Sequence, residues 1–424
     1  MPENKLTKEE LKKIPFTKYD FGWVVLCIGM AIGAGIVFLP IQVGLKGVWV
    51  FILSILITYP ALYLLQKLYL RTLSEATHCD DYTSIITQYL GPNWGIFLGI
   101  AYFLMLLKGM LSYSLAVTYD SASYLQTFGV TDSLLSDHAW WGLLVLVLLV
   151  AVASRGEKLL FKVSGPMVIV KLLIIVIIAL VMIPNWKLSN IATFPEIGSL
   201  IRDTFLTVPF TLFSILFVQI LSPMNVAFRK VEADKRIATY RAIRVNRIAY
   251  LILVIAVLFF AFSFTFTLTH EDAIYAYEQN ISALALAAKV LPGSVIKIMT
   301  VILNVFAILT AFLGIFLGFQ EAIKGIVMNV ITRFIPKERV NDKYVTFGVC
   351  TFIIILLWFW VMTRFSFILL QQIGAPVYGV VSCLIPCFLV FKVPALHKLK
   401  SYSIYYVIVM GIMLCSSPFF KLFE

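Results

Sequence analysis

Long apolar runs separated by short polar segments fill almost the whole chain. A bilayer core about 30 Å thick requires roughly 20 apolar residues per helix, and eleven runs approach or exceed that length. The pattern predicts an all-α polytopic membrane protein with eleven transmembrane helices and little room for a soluble domain. The predicted spans are 20–45, 47–67, 93–125, 138–154, 163–184, 201–226, 246–269, 294–322, 345–363, 366–391 and 402–420.

The first run is interrupted where a membrane helix should be most regular. The stretch GMAIGAGIVFLP, from Gly29 to Pro40, contains three glycines and a proline. Irregular backbone at membrane depth is tolerated only where protein buries it or where it lines a wet cavity. Small side chains there let a ligand reach the backbone itself. The alternative explanation of the glycines is close helix packing. The residues expected to unwind and bind a ligand are Ile32, Gly33, Ala34 and Gly35.

A second interruption lies in the sixth span. The stretch TVPFTLFSILFVQILSPM has Pro209 and Pro223 on either side of three polar residues, Thr211, Ser214 and Gln219. The two interrupted spans are five spans apart and therefore run in opposite directions through the bilayer. Paired broken helices of opposite direction are typical of the inverted repeats of secondary transporters.

The order of the spans predicts four segments of the chain. The first five and the next five spans form the two halves of the inverted repeat, and the eleventh span lies outside that symmetry. The segments are a cytoplasmic tail, 1–19; a first five-helix repeat, 20–186; a second five-helix inverted repeat, 187–391; and the eleventh helix with the C-terminus, 392–424.

Composition and charge agree with a membrane protein. Hydrophobic residues make up 61% of the chain and the mean hydropathy is +0.96, which excludes an ordinary soluble protein. A net charge of +12 could indicate a nucleic-acid partner, but 25 of the 34 lysines and arginines fall on one side of the predicted membrane. That bias is the positive-inside rule. It predicts an N-in, C-out orientation and no nucleic-acid partner.

The sequence lacks the motifs of familiar hydrolases and ATP-driven pumps. GxxxxGK[ST], HExxH and GxSxG do not occur. The four histidines lie in loops or at span edges, and the six cysteines lack metal-ligand spacing. We therefore expect a protein that is not an enzyme and that has no cofactor and no metal site. A channel or a sensor is the remaining alternative to a transporter.

Several stretches of the chain together resemble one family. They are GMAIGAGIVFLPIQVGLKG, LTVPFTLFSILFVQILSPM, SRGEKLLFKVS, AYEQNISALA, LTAFLGIFLGFQEA and LIPCFLVFKVPALHK. From about Asp20 onwards the chain is similar to the hydroxy/aromatic amino acid permeases, and within that family to the serine/threonine branch of enterobacterial inner membranes.

The resemblance implies a LeuT-like fold of the amino acid–polyamine–organocation superfamily, with broken helices 1 and 6. It also implies alternating access and import of a small hydroxy amino acid, with L-serine as the first expectation, by proton symport. The alternatives are cysteine, threonine or an aromatic amino acid as substrate, and sodium symport or exchange as mechanism. We expect a multi-pass protein of a bacterial inner membrane, a monomer or weak oligomer, whose partners are the amino acid, the proton and the lipid bilayer.

Lys171 is a charge inside the fifth span, roughly 12 Å deep at 1.5 Å per residue. A lysine stem can snorkel over only part of that distance, and an ionisable residue within a span is a functional candidate. The resemblance places it between spans 1, 5 and 8, where sodium-coupled members of the fold hold their ion. There Thr310 offers a hydroxyl, but Ala311 does not. We expect Lys171 and Thr310 to form the proton-coupling site; the alternative is an anchoring lysine.

A small substrate site is expected between the two interruptions. Residues 33–35 would bring backbone close to the ligand, and Ser214, in the expected break of the sixth span, would meet an amine or a hydroxyl group. Lys108, near the middle of the third span, either contacts a substrate carboxylate or snorkels towards the interface. The residues expected to complete the site are Phe213, Ile215, Tyr113 and Lys108.

The loop from Thr269 to Leu291 is long and rich in helix formers. The resemblance implies an outer lid that moves as the site alternates. The alternative is a surface helix that only covers the bundle.

Overall fold

The computed structural model describes residues 8–76, 82–155, 157–187, 194–331, 334 and 340–421. Within these residues the chain is helical and contains no β-strand, so the predicted all-α class is confirmed. The predicted tail is described only from residue 8 onwards.

The helices follow the predicted spans in chain order. Those of the first half are α1 (Lys8–Lys12), α2 (Lys18–Ala31), α3 (Ala34–Lys46), α4 (Val48–Ser74), α5 (Tyr82–Leu90), α6 (Pro92–Thr127), α7 (Ala139–Ala153) and α8 (Glu157–Met182). Those of the second half are α9 (Ile197–Ile215), α10 (Val218–Val231), α11 (Lys235–Thr267), α12 (His270–Glu278), α13 (Ala283–Val290), α14 (Ser294–Ile331), α15 (Asp342–Met362), α16 (Phe367–Tyr378), α17 (Ile385–Lys392) and α18 (Ser403–Phe420).

The helices are those of a membrane bundle. Among the described residues, nine helical segments are long and apolar enough to cross a bilayer, and α2 with α3 form a further such segment bent by 43°. Large apolar side chains such as Ile255 and Phe347 point outward, at 70% and 73% exposure. Polar residues such as Asp120 and Asn304 lie inside. This inverts the pattern of a soluble protein and confirms a polytopic membrane protein. The count of eleven spans and their orientation stay predictions.

The first interruption is shorter than predicted. α2 ends at Ala31 and α3 begins at Ala34, so only Ile32 and Gly33 leave the helix. The prediction that Ala34 and Gly35 are unwound is wrong, because both belong to the first turn of α3. The N–H groups of a first helical turn need no acceptor inside the helix. The chain can therefore resume a helix directly after the extended Gly33.

The second interruption lies slightly later than predicted. α9 ends at Ile215 and α10 begins at Val218, so the break consists of Leu216 and Phe217. Ser214 lies in the last turn of α9, and its predicted place in the break is wrong. Both prolines of the stretch lie inside helices, where neighbouring helices can compensate for the hydrogen bond that a proline removes.

The two interrupted spans meet inside the bundle. α3 packs on α9, and Gly35 lies directly against the backbone carbonyl group of Phe213. A Cβ atom at Gly35 would overlap that carbonyl, and one at Gly33 would overlap the hydroxyl of Tyr113. Glycine at these two positions therefore sets how closely the surrounding helices approach the first break.

Two short helices, α12 and α13, lie within the predicted lid, and we call them the lid helices. Thr269 caps α12 in a capping box with Asp272, and Ser282 caps α13. Both lid helices pack against α3, and α13 also packs against α6 and α14. The lid helices therefore contact three elements that surround the two breaks, while their movement stays a prediction.

Candidate functional site

Lys171 lies on α8, and its side chain is fully buried. Its Nζ atom lies 3.2 Å from the carbonyl oxygen of Gly29, 2.9 Å from that of Ile32 and 2.8 Å from Oγ1 of Thr310. An ammonium group has three N–H donors. Each of the three donors of this lysine therefore has its own acceptor.

The break in the first span frees the two carbonyl groups that Lys171 binds. In a continuous helix, the N–H group of Gly33 would donate to the carbonyl of Gly29. In the same way, the N–H group of Ile36 would donate to the carbonyl of Ile32. Instead, the N–H group of Gly33 donates to the carbonyl of Ala31 at 2.9 Å, and that of Ile36 donates to the carbonyl of Gly33 at 3.2 Å. The lysine ammonium thus replaces two lost helix hydrogen bonds, which ties its protonation to the shape of the break.

The surroundings of Lys171 supply neutral oxygen atoms. Thr310 accepts from the lysine and donates its own hydrogen to the carbonyl of Phe306, 2.8 Å away. In the described part of the chain, no carboxylate forms an ion pair with Lys171. No three His, Cys, Asp or Glu side chains come together as a metal site in that part either. A neutral amine could not satisfy all these oxygen atoms, because it carries one donor fewer.

A cavity of about 50 Å³ lies between the two breaks. A cavity needs about 10–15 Å³ on this measure to hold one water molecule, so a ligand the size of an amino acid requires the surrounding side chains to move. The cavity combines small, polar and aromatic side chains. The lining residues used below are Met30, Gly35, Lys108, Ser112, Tyr113, Phe213, Gln219, Ile315, Gln371 and Tyr378.

Lys108 extends from α6 into this cavity and is only 9% exposed. Its ammonium group donates a hydrogen bond to Oε1 of Gln371. Nζ lies 3.7 Å from the ring centroid of Phe213 and 5.3 Å from that of Tyr378. The stem lies over Gly374, where a Cβ atom would come within 2.7 Å of Cγ of the lysine. Because the charge is held inside the bundle, the snorkelling alternative for Lys108 is wrong.

The structure brings part of the predicted substrate site together. Gly35, Tyr113, Phe213 and Lys108 line the same cavity. Gly33 lies next to them, against the hydroxyl of Tyr113. Contact of these five residues with a ligand stays a prediction.

Other predicted residues lie elsewhere. The carbonyl of Ile32 accepts a hydrogen bond from the ammonium of Lys171. Ala34 is the first residue of α3. Ser214 and Ile215 are fully buried and do not line the cavity. Oγ of Ser214 donates to the carbonyl of Thr211 at 2.7 Å and lies 3.2 Å from the hydroxyl of Tyr59. Contact of Ser214 and Ile215 with a ligand stays a prediction that this cavity does not support.

Four polar cavity residues lie outside the predicted site: Ser112, Gln219, Gln371 and Tyr378. Nε2 of Gln371 donates to Oγ of Ser112 at 3.1 Å, and Nε2 of Gln219 donates to the hydroxyl of Tyr378 at 3.3 Å. Ser112 follows Lys108 by four residues and therefore shares its face of α6. That spacing could have identified it from the sequence.

A second cavity, of about 270 Å³, adjoins the first on the side of the bundle where α2 begins. Met30, Gln219 and Ile315 line both cavities. Thr310 and the exposed Glu321 also line the second cavity. The first cavity and the residues that bind Lys171 therefore both adjoin the second cavity, which leads to that side.

The side of the lid helices is closed. Asp120, buried in α6, accepts a hydrogen bond from the backbone N–H of Ser282 at 2.8 Å and from Nδ2 of Asn304 at 2.5 Å. The rings of Phe38 and Phe367 stack with centroids 3.7 Å apart. A molecule in the cavity would therefore leave most readily towards the side where α2 begins.

Comparison with known proteins agrees with the resemblance found in the sequence. Residues 17–416 match the tryptophan/tyrosine permease family. The chain is 51% identical over 409 residues to the "Probable serine transporter" of Escherichia coli (strain K12), covering 96% of this chain and 92% of the relative. It is 27% identical over 418 residues to the "Serine transporter SdaC" of the same organism, with 96% of both chains covered. It is 26% identical over 432 residues to the "Threonine/serine transporter TdcC" of Edwardsiella piscicida, with 95% of this chain and 96% of the relative covered.

Proposed function

The chain belongs to the tryptophan/tyrosine permease family, and we propose that it imports a small hydroxy amino acid, L-serine, by proton symport. The family and the relatives consist of transporters, so the chain is a transporter and not an enzyme. The proposed location is the inner membrane of a bacterium, where the chain acts as a monomer or weak oligomer. The proposed partners are the amino acid, the proton and the surrounding lipid.

The proposed architecture is a LeuT-like inverted repeat of eleven spans, N-in and C-out, with the segment boundaries predicted from the sequence. Two observations support it. The two breaks lie at residues 32–33 and 216–217, in the spans predicted to be equivalent. The broken spans pack against each other. In this orientation the lid helices lie on the outer side of the membrane. The cavity of about 270 Å³ opens towards the cytoplasm.

The proposed substrate follows from the relatives and from the size of the cavity. Relatives of this chain are named as serine and threonine/serine transporters. Because the cavity of about 50 Å³ must widen for any amino acid, a short side chain requires less rearrangement than an indole or a phenol ring. Threonine is the second candidate substrate, because the TdcC relative is named for it.

Binding in the proposed mechanism uses the exposed backbone of both broken spans. The first turn of α3, which includes Gly35, presents N–H groups that attract the substrate carboxylate. The last turn of α9 presents carbonyl groups, including that of Phe213, which attract the substrate ammonium. Alternating access then exposes the cavity first to the lid side and afterwards to the side where α2 begins.

The observation that carries the coupling proposal is the replacement of two helix hydrogen bonds by the ammonium of Lys171. When the amine is protonated, it holds the carbonyls of Gly29 and Ile32 in the arrangement that forms the cavity. When it loses a proton towards the cytoplasm, the oxygen atoms exceed the available donors, and the inner half of the span, α2, is released. Because linkage is reciprocal, a substrate that favours the held arrangement also favours protonation of Lys171.

Uptake into proteoliposomes tests this function. Wild-type protein should accumulate radiolabelled L-serine when a proton gradient is imposed, and not when a sodium gradient replaces it. Lys171→Met should abolish accumulation. Lys67→Met is the matched control, because Lys67 lies on α4 and lines neither cavity. Proton-driven accumulation by Lys171→Met at the wild-type level would contradict the coupling mechanism, and accumulation driven by sodium alone would favour the sodium alternative.

A competition panel tests the substrate. L-Serine uptake is challenged with D-serine, L-threonine, L-cysteine and L-tryptophan. We expect strong inhibition by L-threonine and little by L-tryptophan. Stronger inhibition by L-tryptophan or L-cysteine than by unlabelled L-serine would replace the proposed substrate with the corresponding alternative.

A further inference from the structure

Two buried lysines lie near the first break, and their surroundings differ. Lys171 has three acceptors for its three N–H donors. Lys108 has one hydrogen-bond acceptor within the described structure, Oε1 of Gln371, and otherwise faces aromatic rings and cavity. An ammonium group with spare donors next to an empty space can bind an acceptor that a ligand supplies.

The position of Lys108 is built into the surrounding helices. Gly374 on α16 has no side chain where the lysine stem passes, and a methyl group there would come within 2.7 Å of Cγ. Gln371, one turn earlier on α16, holds the ammonium and itself donates to Ser112. Ser112 in turn donates to the backbone carbonyl of Lys108 at 2.9 Å. The network fixes the ammonium at the cavity and leaves its remaining donors facing inward.

No carboxylate neutralises this charge in the described part of the chain. Lys108 forms no ion pair there, although the face of the Phe213 ring stabilises a cation to some extent. A buried charge that is only partly compensated is costly. A bound ligand that offers an oxygen acceptor reduces that cost, whereas a hydrocarbon group does not.

The cavity therefore has two separate places that favour an acceptor. One is the first turn of α3, at Gly35, and the other is the ammonium of Lys108 on α6. Resting on the proposed function, we propose that Lys108 determines specificity by donating a hydrogen bond to the side chain of the bound amino acid. The substrate class is then a short amino acid whose side chain ends in an acceptor oxygen. Its carboxylate binds at the broken helix and its side chain binds at Lys108.

L-Serine and L-alanine form the test pair, because they differ by one hydroxyl group. The apparent affinities of purified full-length protein for both are measured by ligand-dependent thermal stabilisation and by competition against radiolabelled L-serine uptake. Wild-type protein should prefer L-serine by about tenfold or more, as expected for a hydrogen bond to a charged group. Lys108→Met keeps the length of the side chain and removes the donors. It should reduce the preference to about threefold or less, whereas Lys67→Met should keep the wild-type preference.

Gly374→Ala provides a second variant that retains the lysine. The added methyl group must displace the stem of Lys108, so this variant should lower the preference for L-serine in the same direction. Lys108→Met and Gly374→Ala are each compared with wild type at equal amounts of folded protein, as judged by size-exclusion chromatography. If one of the two variants does not fold, the other decides.

Three results would overturn the assignment. Equal affinity of the wild type for L-serine and L-alanine would show that no donor meets the hydroxyl group. An unchanged preference with unchanged affinities for both ligands in Lys108→Met would show that the donor is another residue. Equal weakening of both ligands in Lys108→Met would place the ammonium at the shared carboxylate instead. None of these results affects the proposed function as long as the wild type accumulates L-serine on a proton gradient. If it does not, the proposed function itself fails.

Discussion

Thr310 accepts a hydrogen bond from the ammonium of Lys171 at 2.8 Å while it donates its own hydrogen to the carbonyl of Phe306. The hydroxyl group thus joins α8 to α14 at the point where α8 also holds the broken first span. A side chain of the same shape without a hydroxyl would leave one N–H group of a buried cation without an acceptor.

Thr310→Val should therefore impair coupling. Hydrogen bonds to charged groups contribute about 1.5–3 kcal/mol, so we expect proton-driven accumulation of L-serine to fall at least tenfold. Thr310→Ser, which retains the hydroxyl, should stay close to wild type. Uptake by counterflow, which requires no proton gradient, separates loss of coupling from loss of binding. Accumulation by Thr310→Val at the level of Thr310→Ser would show that the hydroxyl is dispensable.

Gly35→Ala should disrupt the contact between the two broken spans. The added Cβ atom would overlap the backbone carbonyl of Phe213, and a backbone atom cannot rotate away as a side chain can. Overpacking of this kind costs about 1–3 kcal/mol, so we expect a lower thermal unfolding temperature and loss of most L-serine uptake. Gly99→Ala is the control, because nothing lies within 4 Å of the corresponding Cβ position. Similar behaviour of the two variants would show that the close approach at Gly35 is unimportant.

Asp120→Asn should loosen the lid. The carboxylate accepts from the N–H group of Ser282 and from the amide of Asn304, whereas an asparagine has only one acceptor oxygen for these two donors. Leaving a buried donor unsatisfied costs about 1–3 kcal/mol. We expect faster alkylation of a cysteine placed at Leu286, which is 1% exposed on α13, in a cysteine-free background.

The control for the lid is Asp137→Asn, which removes an exposed carboxylate paired with Arg364. It should leave alkylation at position 286 unchanged. A rate in Asp120→Asn no faster than in this control would mean that Asp120 does not hold the lid closed.

The sequence predicted those features that depend on burial and chain periodicity. Lys171 could be recognised because its depth in an apolar run excludes full snorkelling, whatever the neighbouring helices are. The two interrupted spans could be recognised because glycine or proline recurs at short spacing in them together with small or polar residues, and both residue types weaken a helix. The position of each break could not be predicted to the residue, because it depends on contacts between distant segments. At the first break these contacts are the ammonium of Lys171 and the carbonyl of Phe213.

The substrate site shows the same limit. Ser214 was expected to face a ligand, but its hydroxyl is bonded to Thr211 and lies beside Tyr59 of α4, a partner that the local sequence cannot reveal. Gln371 and Gly374 acquire their importance only because α16 packs against Lys108 on α6. Local pattern therefore located the broken helices, while tertiary packing decided which polar side chains line the cavity.

Asp20 fastens α2 on the side of the bundle opposite to the lid, and its removal should open that side further. The carboxylate is fully buried near the start of α2 and accepts from Nε of Arg241 at 3.0 Å and from Nη2 of Arg244 at 3.2 Å. Both arginines belong to α11, so these ion pairs fasten α2, the first half of the broken first span, to the second half of the protein. Removing one partner of a buried pair costs about 3–5 kcal/mol.

In Asp20→Asn we therefore expect α2 to separate more often and Cys27, which is 0% exposed on that helix, to react faster with a membrane-permeant maleimide. Glu75→Gln is the matched control, because that carboxylate pairs with two lysines, Lys235 and Lys398, at a more exposed position. The double variant Asp20→Asn with Arg241→Gln should lower the free energy of unfolding by less than the sum of the two single changes, since both remove the same pair. If Cys27 reacts at the wild-type rate in folded Asp20→Asn protein, the ion pair does not control this side, and opening must depend on the Lys171 contacts alone.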